Sequence, residues 1–158
     1  MGKFSRVAQV EIRFFKAGDF ETYQSWFSDP DLNLAIGPLH DDWLEYVLEE
    51  EPPRQFSFFE NGELIAVIGV EVPKPRESTW YITDMAVDPV RQREGIGNQA
   101  LALLTKHMQD NETEFDSWIA FVEATNLPAL EFFKRLGWQQ SPTVDKDNFF
   151  EFSQGFKS

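Results

Sequence analysis

The sequence predicts a mixed α/β (α+β) fold, in which a mostly antiparallel sheet of about six to seven strands is flanked by about four helices. Three observations lead to this prediction. The predicted elements follow the order β-α-α-β-β-β-α-β-α-β-β. Asn61-Gly62, between two apolar runs, is the residue pair that a type I′ hairpin turn requires. Helical spacing of apolar residues begins after a loop that contains Gly95 and Gly97.

The first third of the chain predicts one strand and two helices. Residues 7–15 alternate in polarity and predict the strand. Asp19 is expected to cap a first helix, which Asp29-Pro30-Asp31 ends. The apolar side of that helix is formed by Phe20, Tyr23, Trp26 and Phe27. A second helix is predicted from about Asp41 to Pro52-Pro53.

The middle of the chain predicts three strands and a helix. Residues 55–59 and 64–72 form the two arms of the hairpin, and residues 80–87 form the next strand. Asp88-Pro89 ends that strand, because proline cannot continue a central ladder. After the glycine loop, a helix is indicated by the spacing of Ala100, Leu101, Leu104 and Met108.

The last part of the chain predicts a strand, a helix and a final hairpin. Residues 117–124 form the strand and residues 127–136 the helix, with Pro128 in its first turn and Gly137 after its end. Residues 144–156 are predicted to form two aromatic-rich strands. No linker or repeat divides the chain, and we expect one domain over residues 1–158.

The composition argues against several classes of protein. A net charge of −13 argues against nucleic acid as a partner, because phosphate binding needs a basic surface. No apolar run reaches the roughly 18 residues of a membrane-spanning helix, so no membrane association is expected. The absence of cysteine excludes disulfides and thiolate metal sites, and fits the reducing cytoplasm where we expect the protein. No His, Asp or Glu cluster has metal-ligand spacing, and no metal is expected.

Acidic residues are concentrated near the N-terminus. Between Lys16 and Arg54 there is no lysine or arginine, yet ten acids occur there. They are Asp19, Glu21, Asp29, Asp31, Asp41, Asp42, Glu45, Glu49, Glu50 and Glu51. One interpretation is a solvated acidic surface on two helices. The other is a negative field that attracts a cationic ligand.

The glycine loop is suited to binding a phosphate group. A strand ends before it and a helix begins after it, so unpaired N–H groups and the positive end of the helix dipole meet there. Gly95 and Gly97 lack the Cβ atoms that would prevent a close approach. Arg91 and Arg93 place two cations beside the loop. A P-loop is excluded because no Gly-Lys-Ser/Thr occurs, and a Rossmann site would need a βαβ unit near the N-terminus.

Two segments together identify a family resemblance. Met85-Ala86-Val87-Asp88-Pro89 with Gln92-x-x-Gly-x-Gly resembles the CoA-binding motif of the GNAT acetyltransferases, Q/R-x-x-G-x-G/A. The segment from Asn126 to Trp138 resembles the second signature of that family, N-x-x-A-x-x-x-Y-x-x-x-G-F. Both occur in the family's order and spacing. The resemblance implies the GNAT fold and acetyl-CoA as the co-substrate.

The resemblance also implies a set of cofactor-binding residues. The strand that ends at residues 85–87 would diverge from the strand at 118–124, with pantetheine in the gap. The backbone of Met85, Ala86 and Val87 would pair with the pantetheine amides. The pyrophosphate would lie on the amides of Gln92, Arg93, Glu94, Gly95, Ile96, Gly97 and Asn98. Asn126 would reach the cofactor or cap its helix, and Phe133 occupies the position of the signature tyrosine.

The implied chemistry is direct attack of a neutral amine on the thioester. Phe133 replaces a tyrosine that donates to the CoA sulfur in many relatives, and Phe121 replaces a glutamate found in some that acetylate protein N-termini. Asp84, on an apolar strand beside the expected thioester, is the candidate general base, with a structural role as the alternative. Glu71 and Glu123 are weaker candidates for the base.

The predicted function is acetyl transfer to the primary amine of a small cationic metabolite. The alternatives are a CoA-binding GNAT module without catalysis, and an acetyltransferase for protein N-termini or lysines. His40, Trp26, Trp43 and Phe149 are candidates for the acceptor side. The oligomeric state is left open, with a homodimer as one alternative.

Overall fold

A seven-stranded sheet carries the fold, with strand order β1-β2-β3-β4-β5-β7-β6. The computed structural model describes residues 9–30, 32, 39–50, 53–71, 78–92, 94–112 and 114–156. The strands are β1 (Val10–Phe14), β2 (Gln55–Glu60), β3 (Glu63–Glu71), β4 (Thr79–Val87), β5 (Ser117–Glu123), β6 (Gln139–Gln140) and β7 (Phe149–Gly155). β4 and β5 run parallel, whereas β1–β2, β5–β7 and β6–β7 pair antiparallel. The predicted fold class is confirmed.

Four α-helices of six residues or more occur in the described ranges. They are α1 (Phe20–Ser25), α2 (Asp41–Glu49), α3 (Ile96–Asn111) and α4 (Leu127–Arg135). Short 3-10 turns precede and follow α1, and another one, Pro89–Arg91, follows β4. The hairpin turn between β2 and β3 has φ of 52° at Asn61 and 81° at Gly62, as a type I′ turn requires.

The chain divides into two compact units. The first contains Met1–Val67 and Ala86–Leu104. Its core is aromatic: Tyr23 of α1 makes ring contacts with Trp26, Phe27 and Trp43 at centroid distances of 5.5, 5.2 and 5.5 Å. The first two contacts are edge-to-face, and such contacts add about 0.5–1.5 kcal/mol to the burial of each ring pair. Trp26 and Trp43, which we considered as acceptor-side residues, therefore belong to this core.

The second unit contains Ile68–Met85 and Thr105–Ser158. The side chains of Trp118 and Phe152 are completely buried in it. The Trp118 indole donates a hydrogen bond of 2.9 Å to the Thr105 hydroxyl on α3, which satisfies its one polar atom. Phe152 stacks on Phe133 of α4 at 5.4 Å. α3 and α4 therefore both pack on the face of the sheet that carries these side chains.

Two local predictions are wrong. Asp19 forms no side-chain cap with α1, because its carboxylate is buried and accepts from Arg13, Ser57 and the Lys16 amide instead. The last hairpin does not begin at Val144. β6 follows α4 after a short turn, and residues 141–148, which are mostly exposed, form the connection to β7. In this connection Asp145 accepts from the amides of residues 147 and 149.

Candidate functional site

The glycine loop of the first unit joins a 3-10 turn to α3. Asp88 caps the turn by accepting from the Val90 amide at 3.1 Å. Gly95 has φ of 77°, a left-handed conformation that is strained for a residue with a Cβ atom. α3 begins at the next residue, the buried Ile96. The first turn of this helix therefore contains Ile96, Gly97 and Asn98, where backbone N–H groups lack intrahelical partners.

The surroundings of the loop are less basic than the sequence indicates. Arg91 forms a close ion pair with Glu60, donates from Nε to Glu94 at 2.8 Å, and lies 3.9 Å from Glu63. The hydrogen bonds to Glu60 and Glu94 raise the pKa of the Arg91 guanidinium above its ordinary value. Arg91 therefore stays charged, but the carboxylates compensate its positive charge. The same contacts connect Glu94 in the loop to the β2–β3 hairpin. Arg93 lies outside the described residues.

β4 and β5 separate within the second unit. Their parallel pairing runs from Thr79 with Ser117 to Ile82 with Ala120. β4 continues beyond Ile82 and β5 continues to Glu123, where β5 is still paired with β7. The described strands form no pairs with each other beyond Ile82 and Ala120. The ends of the two strands thus diverge and leave a gap, where the resemblance implies pantetheine.

Asp84 and Met85 lie on β4 beyond the paired segment. Both side chains are half-buried. The Thr83 hydroxyl donates to Asp84 Oδ1 at 2.9 Å. Consecutive side chains of a regular strand point to opposite faces, so this contact fits a local bulge. Ala86 and Val87 end the strand, and Ala86 is buried in the core of the first unit. The general-base role of Asp84 stays a prediction.

Asn126 caps α4. Its side-chain oxygen accepts from the Ala129 amide at 3.3 Å, and its backbone amide donates to the Glu123 carbonyl at 2.9 Å. The carboxamide nitrogen makes no hydrogen bond with the residues that the structure describes. Capping uses only the oxygen, so it leaves the nitrogen able to donate to a ligand.

Phe133 is a core residue of the second unit. Its side chain is 5% exposed and contacts the rings of Phe132, Trp138 and Phe152 at centroid distances of 5.1, 4.8 and 5.4 Å. The ring that replaces the signature tyrosine therefore contributes packing, and it carries no group that can donate a proton.

An exposed aromatic pair lies at the start of the gap, and one of its members, Phe121, occupies the position where some relatives carry a glutamate. Phe121 on β5 stacks on Tyr81 of β4 at 6.1 Å with an interplanar angle of 13°. Phe121 is 47% exposed, which is unusual for a large apolar side chain on a central strand. The alternation of Ser117, Ile119, Phe121 and Glu123 along β5 is the signal that could have placed Phe121 on the outward face.

The acidic residues near the N-terminus have different environments. Asp19 is buried and paired with Arg13, Asp29 accepts from the Leu32 amide at 3.0 Å, and Glu50 pairs with Arg54 at 3.5 Å. Five others are exposed and form no ion pair with the described residues: Glu21, Asp41, Asp42, Glu45 and Glu49. His40, immediately before α2, is also exposed. The two acids Asp31 and Glu51 lie outside the described residues.

An open groove of about 640 Å³ lies elsewhere in the first unit. It is lined by β1, Phe59, Gly62 and Leu103. Arg13 in this groove is already bound to Asp19 and stacks on the Phe59 ring at 4.3 Å. The lining includes none of the predicted cofactor residues, so the groove and the glycine loop are separate features.

Comparison with known proteins identifies the family. The sequence model of the Acetyltransferase (GNAT) family matches residues 19–138, which is more than half of the chain. The chain therefore belongs to the GNAT acetyltransferase family, and it is an N-acetyltransferase, as the two signatures predict. Comparison with curated proteins gives no match.

Solved structures with the same fold are numerous. An acetyltransferase from Salmonella typhimurium that modifies the N-terminal serine of ribosomal protein L7/L12 has a TM-score of 0.80 at 12% identity, covering 94% of this chain and 95% of its own. A GNAT acetyltransferase from Bacillus anthracis has 0.75 at 19% identity, with 93% and 94% covered. The PaiA N-acetyltransferase of Thermoplasma acidophilum, in complex with coenzyme A, has 0.66 at 16%, with 94% and 99% covered.

Two further observations concern membranes and metals. Within the described ranges, no helix is both long and apolar enough to cross a membrane. The same residues include no group of three or more His, Asp or Glu side chains that could hold a metal ion.

Proposed function

We propose that the protein transfers the acetyl group of acetyl-CoA to a primary amine of a small cationic metabolite. The observation that carries this proposal is the separation of β4 and β5 beyond Ile82 and Ala120 in a chain with both GNAT signatures. Where two strands diverge, their facing edges carry backbone donors and acceptors in one row, and an extended pantetheine arm with two amides can pair with them as an added strand would. On this proposal, the backbone of Met85, Ala86 and Val87 binds the arm.

The pyrophosphate is assigned to the amides from Gln92 to Asn98, including Arg93, Glu94, Gly95, Ile96 and Gly97. The support is the left-handed Gly95 followed at once by the first turn of a 16-residue helix. Glu94 would repel phosphate if its charge were uncompensated, but Arg91 Nε donates to its carboxylate at 2.8 Å and offsets the charge. Asn126 is assigned to the cofactor through its carboxamide nitrogen, while its oxygen caps α4.

The proposed reaction forms one C–N bond and breaks one C–S bond. The neutral amine attacks the thioester carbonyl, the amine proton passes to a base, and CoA leaves as the thiolate, which takes a proton from solvent. We assign the base to Asp84, whose carboxylate lies on β4 beyond the last pair with β5. Much of the rate would come from holding amine and thioester together, worth up to roughly 7–11 kcal/mol.

Phe133 cannot protonate the leaving thiolate, since its ring carries no acidic proton. The ring packs against three other aromatic rings instead. Water therefore has to solvate the thiolate. Without a general acid, the reaction loses a rate contribution that is typically about 10²–10⁴-fold. The reaction can still proceed, because a thiolate is a far better leaving group than an alkoxide or amide. The proposal thus predicts a working but slow enzyme rather than an inert module.

The acceptor is proposed to be cationic because of the exposed acids of α1 and α2. Asp41, Asp42, Glu45 and Glu49 all lie on α2, a nine-residue helix, and none is paired within the described part of the chain. Such a surface raises the local concentration of cations and the rate at which they associate. The effect would weaken with ionic strength, because the Debye length falls to about 8 Å at physiological salt.

Two substitutions at Gly95 test the cofactor assignment. An added Cβ at Gly95 meets no atom within 4 Å, so Gly95→Ala and Gly95→Trp share the same backbone strain and differ in bulk alone. We expect Gly95→Ala to bind acetyl-CoA severalfold more weakly, because a residue with a Cβ atom pays roughly 1–2 kcal/mol to keep the left-handed conformation of the loop. Gly95→Trp should abolish binding, because its ring would occupy the space assigned to the pyrophosphate. The measurement is calorimetric titration with acetyl-CoA.

If Gly95→Trp binds acetyl-CoA as well as Gly95→Ala does, the pyrophosphate does not lie on this loop. Binding without release of CoA from any amine would favour the module without catalysis. Acetylation of a peptide N-terminus in preference to small amines would favour a protein substrate.

A further inference from the structure

The outward face of the sheet in the second unit combines aromatic and acidic side chains. Directly opposed residues of an antiparallel pair lie on the same face. Phe121 opposes Glu151, and Glu123 opposes Phe149, so β5 and β7 present these four side chains together. Tyr81 of β4 joins them through its stack on Phe121. We call Tyr81, Phe121, Glu123 and Glu151 the aromatic–acidic face.

The helices of the second unit cover the other face. Trp118, Ala120 and Val122 are buried there, and α3 and α4 pack on that side through Thr105 and Phe133. Phe121, in contrast, leaves nearly half of its side chain in solvent, although it stacks on Tyr81. The exposed part of the Phe121 ring is apolar surface that a ligand could bury, with a favourable contribution to binding.

Among the residues that the structure describes, the carboxylates on this face have no cationic partners. Glu123 accepts from the Thr125 hydroxyl at 3.3 Å, and neither Glu123 nor Glu151 forms an ion pair with the residues that the structure describes. Glu151 is the cross-strand neighbour of Phe121 on β7, and Cβ atoms of opposed residues are about 4.5–5.5 Å apart. A cation placed on the ring would therefore interact with the aromatic quadrupole and with a carboxylate at the same time.

We propose that the aromatic–acidic face binds a second cationic group of the acceptor, so that the substrate is a diamine or polyamine. This inference rests on the proposed function. Phe121 immediately follows Ala120, the last residue paired with β4, so the face begins where the gap assigned to pantetheine begins. An acceptor with two amines can present one as the nucleophile and leave the other, still protonated, on Phe121 between Glu123 and Glu151.

The test compares spermidine with n-butylamine, which has one amine and no second charge. We expect wild type to acetylate spermidine with a much lower KM. Phe121→Leu and Glu151→Gln should each raise KM for spermidine about fivefold, with kcat changed less than twofold, since one exposed cation–π contact or one charge pair is lost. The KM for n-butylamine should not change in either variant.

Matched controls come from the same unit. Val144→Ala removes part of another exposed apolar side chain, and Glu112→Gln removes another exposed carboxylate. Both should leave the KM for spermidine unchanged. Equal effects of the controls and the test variants would overturn the proposal, as would equal preference of wild type for n-butylamine and spermidine.

Direct binding separates this inference from the proposed function. Spermidine is titrated calorimetrically into the protein saturated with CoA, and we expect Phe121→Leu to weaken binding about fivefold. Spermidine binding that depends on Phe121, without any acetyl transfer, would support the face and contradict the transfer reaction. Acetylation of other amines without any binding of spermidine would overturn the face and leave the proposed function standing. Absence of both would overturn both.

Discussion

Asp19 shows how partners rather than solvent determine the ionisation of a side chain. Its carboxylate is 6% exposed and accepts from both terminal nitrogens of Arg13 at 2.8 and 2.9 Å, from the Lys16 amide at 2.9 Å and from Ser57 at 2.9 Å. Burial alone would raise the pKa of this carboxyl. The hydrogen bonds from Arg13, the Lys16 amide and Ser57 outweigh it and hold the pKa below its ordinary value.

Asp19→Asn should destabilise the protein by about 2–3 kcal/mol at pH 7, because it leaves Arg13 without its carboxylate and disturbs a buried network. The ionised form is favoured in the folded state, so this contribution is complete above the unfolded pKa of about 3.9 and is lost as pH falls through the lower, folded pKa. Urea unfolding of wild type and Asp19→Asn across pH measures it. A difference that persists unchanged at pH 2 contradicts this account, and Asp110→Asn, in an exposed pair, is the control.

Asp84→Asn tests the assignment of the general base. We expect kcat to fall about 10²-fold or more, while the Kd for acetyl-CoA changes little, because the substitution keeps the shape of the side chain and its contact with Thr83. Steady-state kinetics with spermidine and calorimetry with acetyl-CoA give the two quantities. An unchanged kcat over the whole pH range would remove Asp84 as the base and leave it a structural role on β4.

Sequence patterns predicted least about the interaction partners of single residues. Arg91 reads as a free cation beside a phosphate loop, but its partners Glu60 and Glu63 come from a hairpin some thirty residues earlier. Asp19 reads as a helix cap, but its buried carboxylate also accepts from Ser57, which is 38 residues away. Local spacing cannot reveal contacts of this range, since they depend on how the strands pair.

At the scale of elements, local chemistry determined most boundaries. The Asn61-Gly62 turn, Pro89 after β4, and Gly137 after α4 all mark ends that the structure has, and Gly137 takes a φ of 82° there. The predicted bounds of the last hairpin were wrong because its first strand has only two residues, Gln139–Gln140. A strand so short gives no alternation to detect, and it forms only because β7 is available to pair with it.

Asn126 caps α4 and is also proposed to contact the cofactor. Two substitutions separate these roles. Asn126→Ser keeps a capping oxygen, so we expect a stability within a few tenths of a kcal/mol of wild type, whereas Asn126→Ala should cost about 1 kcal/mol. Both lose the carboxamide nitrogen and should weaken acetyl-CoA binding alike. Thermal unfolding and calorimetry measure the two effects. Full acetyl-CoA affinity in Asn126→Ser would restrict Asn126 to capping.

For the whole molecule, the sequence predicted the fold class and the family, whereas the cofactor-binding residues and the acceptor stay predictions. The order of elements and the two signatures lie in continuous segments, which is why the sheet and the glycine loop could be placed. The aromatic–acidic face is assembled from β4, β5 and β7, and its residues share a surface only through strand register. The acids near the N-terminus were visible in the sequence, but burial of Asp19 and pairing of Glu50 reduce their free charge.

We propose that this protein moves an acetyl group from acetyl-CoA to a small polycationic amine. Mass spectrometry of spermidine incubated with acetyl-CoA and the wild-type protein measures this transfer, with Gly95→Trp as the control. We expect spermidine carrying one acetyl group, in an amount equal to the CoA released, and no product with Gly95→Trp. Release of CoA without acetylated spermidine, or equal product with the variant, would contradict it.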